Sequence, residues 1–180
     1  MPNDWAHKLH AAFRAAKKTL ALAESCTGGL LSKRLTDVAG SSKYVELNFV
    51  TYSNDAKERT LGVSATTLAN HGAVSPQCAQ EMAEGVRKLT HADLGLSVTG
   101  IAGPDGGTVE KPVGLIFLGL AAEGYYAARQ LLIPSTLSRS DIRFRTASEA
   151  LNMVRLYLLD PAILATSLKT AVKSTREQNT

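Results

Sequence analysis

The chain has 180 residues, 44% of them hydrophobic and 20% charged, which suits one domain with a substantial core. Its net charge of +4 is spread toward the two ends, with Lys8, Arg14, Lys17 and Lys18 near the start and Lys169, Lys173 and Arg176 near the finish. Without a concentrated basic stripe, and with 6% aromatic residues, the sequence carries no nucleic-acid footprint, while mild basicity suits a small anionic ligand. Cys26 and Cys78 form neither a CxxC pair nor a disulfide framework, so a reducing compartment is expected. No run approaches the roughly 18 apolar residues of a membrane span, and no secretory leader is visible, so the expectation is a cytoplasmic protein.

Residues 3–18 set Trp5, Leu9, Ala12, Phe13 and Ala16 at helical spacing and predict an amphipathic helix. Thr19–Ala23 reads as a short buried strand. It runs into Glu24-Ser25-Cys26-Thr27-Gly28-Gly29 and a helical stretch through Asp37, an order that offers backbone N–H groups and a helix N-terminus to a ligand. Gly40-Ser41-Ser42 makes a second turn before a strand over Tyr44–Ser53, and Asn54 is the expected N-cap of a helix over Asp55–Leu61.

Ser75-Pro76 opens a further helix as cap and first residue, with Ala79, Met82, Ala83 and Val86 on one face. The strand Leu94–Val98 then enters a loop with four glycines in the eight residues Gly100–Gly107. Pro112–Ala122 and Tyr125–Ile133 read as a hairpin turning at Glu123-Gly124, and Ser138–Leu159 as the last helix. This order predicts a layered α/β/α single domain with a mixed sheet over residues 1–160, followed by a polar tail from 161 to 180. The amphipathic first and last helices make a homodimer the expected assembly.

Chemistry is expected at the loops that flank strand ends. The Gly100–Gly107 loop allows close backbone approach, yet a plain glycine-rich turn uses the same residues. It is neither a Walker loop nor a GxGxxG fingerprint, which excludes a phosphate-loop ATPase and an NAD-dependent dehydrogenase. Lys57 falls in the positively polarised first turn of its helix, where partial desolvation would turn it into a general base; the alternative is a solvated lysine paired with Asp55 or Glu58. Ser25, Ser41 and Ser42 read by default as caps or turn residues, and Cys26 is a rival nucleophile at a helix N-terminus. His7, His10, His71 and His91 have no metal-site spacing, and no metal or cofactor is expected.

Taken in order, Ala23–Gly29, Gly40-Ser41-Ser42, Thr51-Tyr52-Ser53-Asn54-Asp55-Ala56-Lys57, His71-Gly72-Ala73-Val74-Ser75 and Thr99–Gly107 resemble the C-terminal domain of the CinA family over about residues 5–160. Within that family the pattern is similar to the stand-alone nicotinamide-nucleotide amidohydrolases. The resemblance implies conversion of nicotinamide mononucleotide and water to nicotinate mononucleotide and ammonia in pyridine-nucleotide recycling, by a serine–lysine mechanism without metal. By motif position it makes Ser42 the nucleophile, Lys57 its base and Ser25 an assisting hydroxyl. Tyr52, Thr27, Gly28, Thr99, Gly100 and Gly103 would line the substrate site, and Arg139 and Arg143 would hold the phosphate bidentately.

The family's usual Gly-Asp-Arg before the last helix reads Leu137-Ser138-Arg139 here. No segment matches the larger N-terminal domain that CinA proteins often carry, so activities tied to it are not expected. The competing reading is a non-catalytic nucleotide-binding module serving a protein partner in competence or DNA-damage responses. Joint retention of Ser25, Ser42, Tyr52 and Lys57 favours the enzyme.

Overall fold

The structure, a computed structural model, describes residues 4–166. Helix α1, Asp4–Ala16, is followed by strand β1, Leu20–Glu24, helix α2, Leu30–Thr36, and a 3₁₀ turn, Ser41–Lys43. Strand β2, Val45–Val50, leads into α3, Asn54–Leu61, α4, Ala65–His71, and α5, Pro76–Thr90. Strands β3, Leu94–Gly100, β4, Leu115–Ala122, and β5, Tyr125–Leu132, precede the last helix α6, Arg139–Leu159.

The strands form one mixed sheet in the order β2-β1-β3-β4-β5. β1 is parallel to both β2 and β3, and β4 and β5 continue antiparallel, as expected for a mixed sheet. Alternation along β1 divides the core: Leu20 and Leu22 face Leu9, Phe13, Leu31, Leu35 and Leu151, whereas Ala21 and Ala23 face Leu61, Met82 and Val86. Helices α1, α2 and α6 therefore cover one face of the sheet and α3, α4 and α5 the other. That is the layered α/β/α domain predicted from the element order.

Packing of α5 on the sheet is unusually close at Gly119, where a Cβ would lie 2.4 Å from the carbonyl oxygen of Ala79. On the opposite face α1 packs against α6. The apolar sides of these two helices, which motivated the homodimer expectation, are thus used inside the chain itself.

Several boundaries differ from expectation for local reasons. Ser53, not Asn54, caps α3: its backbone is extended and its hydroxyl accepts from the Ala56 N–H at 3.0 Å. Helix α4 has no apolar periodicity and was not anticipated; it is fixed by Ser64 as cap and by the Glu81 carboxylate, which accepts from the Ser64 N–H and the Thr67 hydroxyl. β4 begins at Leu115, because the Gly114 N–H turns back to the Ile101 carbonyl. Residues 161–166 are helical and Leu164 is buried in the core, whereas the polar tail from 167 lies outside the described residues. Among the described residues no helix is long and apolar enough to cross a membrane.

Candidate active site

Because the chain leaves β1 for β2 on one side and later returns to β3 on the other, the sheet has a crevice at the C-terminal ends of β1 and β3. A cavity of about 280 Å³ sits there, lined among others by Ser25, Tyr52, Lys57, Thr99, Gly100, Gly103 and Arg139. Its base is built by continuing the parallel ladder. The Thr51 N–H donates to the Glu24 carbonyl at 2.9 Å, which sets Thr51 beside the residue that follows Glu24, namely Ser25.

The Ser53 cap then starts α3 so that Lys57 turns back over this point. Lys57 is 1% exposed; its Nζ lies 3.1 Å from the Ser25 Oγ and donates to the Thr51 carbonyl at 2.8 Å. It is neither solvated nor paired with Asp55 or Glu58. Burial holds its pKa below the ordinary lysine value, with the thiols of Cys78 and Cys26 acting weakly in the opposite direction.

The loop after Ser25 is fixed by a residue that the motif reading did not single out. Glu24 is buried, and its carboxylate accepts from the N–H groups of Gly29, Leu31 and Ser32 and from the Ser32 hydroxyl, at 2.7 to 3.1 Å. The N-terminus of α2, expected to face a ligand, is therefore filled by the protein's own carboxylate. An acidic residue closing a buried strand just before a glycine turn was the available signal. Cys26 lines the cavity, but burial pushes its thiol up to about 12, which removes it as a thiolate nucleophile.

Ser42 is not in this site. It is exposed in the 3₁₀ turn before β2, at the opposite end of the sheet, with about 17 Å of strand between it and the end of β2. The sequence motifs fix spacing along the chain, but Ser42 and Lys57 flank a strand and so fall at its two ends.

Thr27, Gly28 and Arg143 are also outside the cavity lining. Arg143 donates through Nε and a terminal nitrogen to the Thr27 carbonyl, at 3.1 and 2.5 Å, and packs over Gly28. Thr27 is itself fully buried. These three residues hold the Ser25 loop against α6 rather than reaching a ligand.

One helical turn earlier, Arg139 faces the cavity. It donates to the Gly103 carbonyl at 2.6 Å and to the Tyr52 hydroxyl at 3.0 Å, and among the described residues no carboxylate pairs with it. Gly100 lines the cavity through its backbone alone. A Cβ there would lie 2.4 Å from Ile116 Cδ1 and 2.6 Å from the Leu115 carbonyl, so glycine is required by the neighbouring strand and not by a ligand. Thr99 lines the wall with its hydroxyl donated to the Ala73 carbonyl. A larger groove of about 770 Å³ runs between α3, α4 and α5, but its acids Glu81 and Glu84 are engaged in capping and in ion pairs with Arg87 and Lys88.

The model of the CinA C-terminal domain matches residues 3–158. The chain belongs to the CinA C-terminal domain family. It is 57% identical over 143 residues to a competence-damage inducible protein of Thermoanaerobacter sp. (strain X514), covering 79% of this chain and 34% of that protein. It is 52% identical over 147 residues to a CinA-like protein of Geobacter sulfurreducens, covering 82% and 35%. The chain thus spans about a third of the length of the curated relatives it matches. Among solved structures, the competence/damage inducible protein from Agrobacterium tumefaciens is 41% identical with a TM-score of 0.84, covering 88% of this chain and 96% of that one. A CinA superfamily protein from Klebsiella pneumoniae has the same TM-score at 30% identity, covering 88% and 98%.

Proposed function

We propose that this CinA-family domain is an amidohydrolase that converts nicotinamide mononucleotide and water to nicotinate mononucleotide and ammonia, with Ser25 as nucleophile and Lys57 as its base. The observation that carries the reading is the buried Lys57 amine, 3.1 Å from the Ser25 hydroxyl at the base of a cavity. Amide hydrolysis needs an activated nucleophile, donors for the developing oxyanion and a proton for the leaving amine. A lysine kept below its ordinary pKa serves both proton transfers.

In the first half, Lys57 takes the Ser25 proton as the Oγ attacks the carboxamide carbon. The tetrahedral oxyanion collapses, the C–N bond breaks, and ammonia leaves with the proton returned by Lys57. Water then attacks the resulting ester, its proton passing through Lys57 to the Ser25 oxygen, and the carboxylate product departs. The N–H of Cys26, which follows the nucleophile and lines the cavity, is the donor assigned to the oxyanion. Arg139 is assigned the phosphate, because its guanidinium is bonded to neutral acceptors only.

Location in the cytoplasm belongs to the same proposal. An ammonia-release assay on nicotinamide mononucleotide, without added metal, tests it: the native chain should turn over, and absence of turnover sinks the enzyme reading in favour of a non-catalytic binding module.

A further inference from the structure

The cavity that holds Ser25 and Lys57 is not uniformly basic. Alongside the basic side chains Lys57 and Arg139, its lining includes one carboxylate, Asp105, in the Gly100–Gly107 loop. Other acids near the fold's joints have structural work: Glu24 closes α2, Glu81 holds α4, Asp93 binds the Thr19 N–H, and Asp141 accepts from Ser138. Asp105 is exposed, and among the described residues no cation or hydrogen-bond donor satisfies it. Its loop is closed without it, through the Arg139 bond to the Gly103 carbonyl and the Thr108 hydroxyl bond to the Lys111 N–H.

We propose that Asp105 reads the positive charge of the substrate ring, so that the site selects N-ribosylated pyridinium carboxamides over analogues with a neutral ring. The inference rests on the amidohydrolase reading above and adds a specificity that reading does not contain. The ligand has a neutral carboxamide, a permanently cationic ring nitrogen and an anionic phosphate. The cavity offers a neutral hydroxyl at its base, the Asp105 carboxylate in the loop, and the Arg139 guanidinium. Placing the amide on Ser25, the ring nitrogen toward Asp105 and the phosphate on Arg139 gives each of the three a group of matching charge in the cavity lining.

The Tyr52 ring, 62% exposed on the cavity wall with its hydroxyl fixed by Arg139, presents an aromatic surface that also favours a cation. Reduction of the ring to the dihydropyridine removes the charge while keeping the carboxamide, the ribose and the phosphate. Oxidised and reduced mononucleotides are therefore distinguished by Asp105 and not by Arg139.

The test compares the native chain with Asp105→Asn and Asp105→Glu, using oxidised nicotinamide mononucleotide as substrate and its reduced form as competing ligand. Asp105→Asn should raise KM for the oxidised form about three- to tenfold, change kcat far less, and leave the inhibition constant of the reduced form in place. Asp105→Glu should recover most of the loss, and added salt should narrow the gap between native and Asn proteins. An unchanged KM, or equal weakening of both nucleotides, overturns the inference while leaving the amidohydrolase reading intact. If the native chain releases no ammonia, that reading fails by itself. The two nucleotides are then compared by calorimetric binding, and equal affinity for both overturns the charge preference as well.

Discussion

The Nζ of Lys57 lies 3.1 Å from the Oγ of Ser25, and both side chains are almost completely withdrawn from solvent. Neither group reaches this position through its own helix or strand alone. Ser25 is placed by the end of β1, Lys57 by the first turns of α3, and the Thr51 carbonyl between them accepts the lysine's other bond. An amine so held is costly to protonate, and that cost is what equips it to accept a proton from the serine.

Ser25→Ala and Lys57→Ala should each lower kcat for ammonia release by at least about 100-fold, with far smaller effects on KM. The double variant should be little worse than either single one, because the two groups act as a unit. Ser42→Ala, an exposed change at the far end of the sheet, should stay within about twofold of the native chain. A dead Ser42→Ala protein with an active Ser25→Ala protein would reverse the assignment.

Activity should rise with pH along a limb set by Lys57, positioned below the ordinary lysine pKa of 10.5 because burial disfavours its charged form. Stability follows the same group. Since the folded pKa lies below the unfolded one, the unfolded chain binds more protons in the interval between them, and folding gains as pH rises through that window. Lys57→Met should flatten that part of the denaturation-versus-pH curve. A kcat/KM profile that stays level from pH 9 down to pH 5 would remove lysine as the base.

Cys26 shares the cavity but not the chemistry. With its thiol pushed up to about 12 by burial, it should resist alkylation by iodoacetamide at pH 8 in the folded protein and react once urea unfolds it. Cys26→Ala should retain most of the turnover. Rapid alkylation of the native chain at Cys26, read by mass spectrometry, would contradict the structure.

The two arginines of α6 stand four residues apart but meet different partners, Gly103 and Tyr52 for Arg139 and Thr27 for Arg143. Arg139→Ala should raise KM for the mononucleotide about tenfold or more and should weaken discrimination against the riboside, which lacks the phosphate. Arg143→Ala should instead lower kcat, because the Thr27 carbonyl, and with it the turn carrying Ser25 and the Cys26 N–H, loses its tie to α6. Steady-state constants for both nucleotides distinguish the two effects.

The layers, the mixed sheet and the hairpin were readable in the sequence because period-two and period-3.6 patterns, a Ser-Pro helix start and a Glu-Gly turn all act locally. Lys57 was only partly readable: its place early in a helix left a solvated lysine as the alternative, and its burial comes from Thr51 and Ser25, which neighbouring strand ends supply. What could not be read was which end of a strand each motif occupies in relation to another. Ser42 and Lys57 are 15 positions apart and β2 lies between them, so proximity in sequence became separation in space. In the same way a helix carries Arg139 and Arg143 on one side, yet only contacts with Gly103 and Thr27, which come from distant parts of the chain, decide which arginine faces the cavity. Long-range partners fix these roles, and local periodicity does not encode them.

Glu24 provides the sharpest structural test, because its carboxylate replaces the ligand that a strand, glycine turn and helix would otherwise invite. Four donors converge on it from Gly29, Leu31 and Ser32, and the side chain is 1% exposed. Glu24→Gln keeps the shape but places an amide NH₂ where an acceptor stood, so at least one of those donors is left facing another donor in a buried setting. The expected loss is about 2–4 kcal/mol of unfolding free energy, a fall in Tm of about 4–16 °C for a domain of this size. Because Glu24 also precedes Ser25, the folded fraction of the variant should show reduced kcat with KM nearly kept. Calorimetry showing a Tm within 1 °C of the native chain would mean that the α2 N-terminus is satisfied in some other way and remains open to an anion.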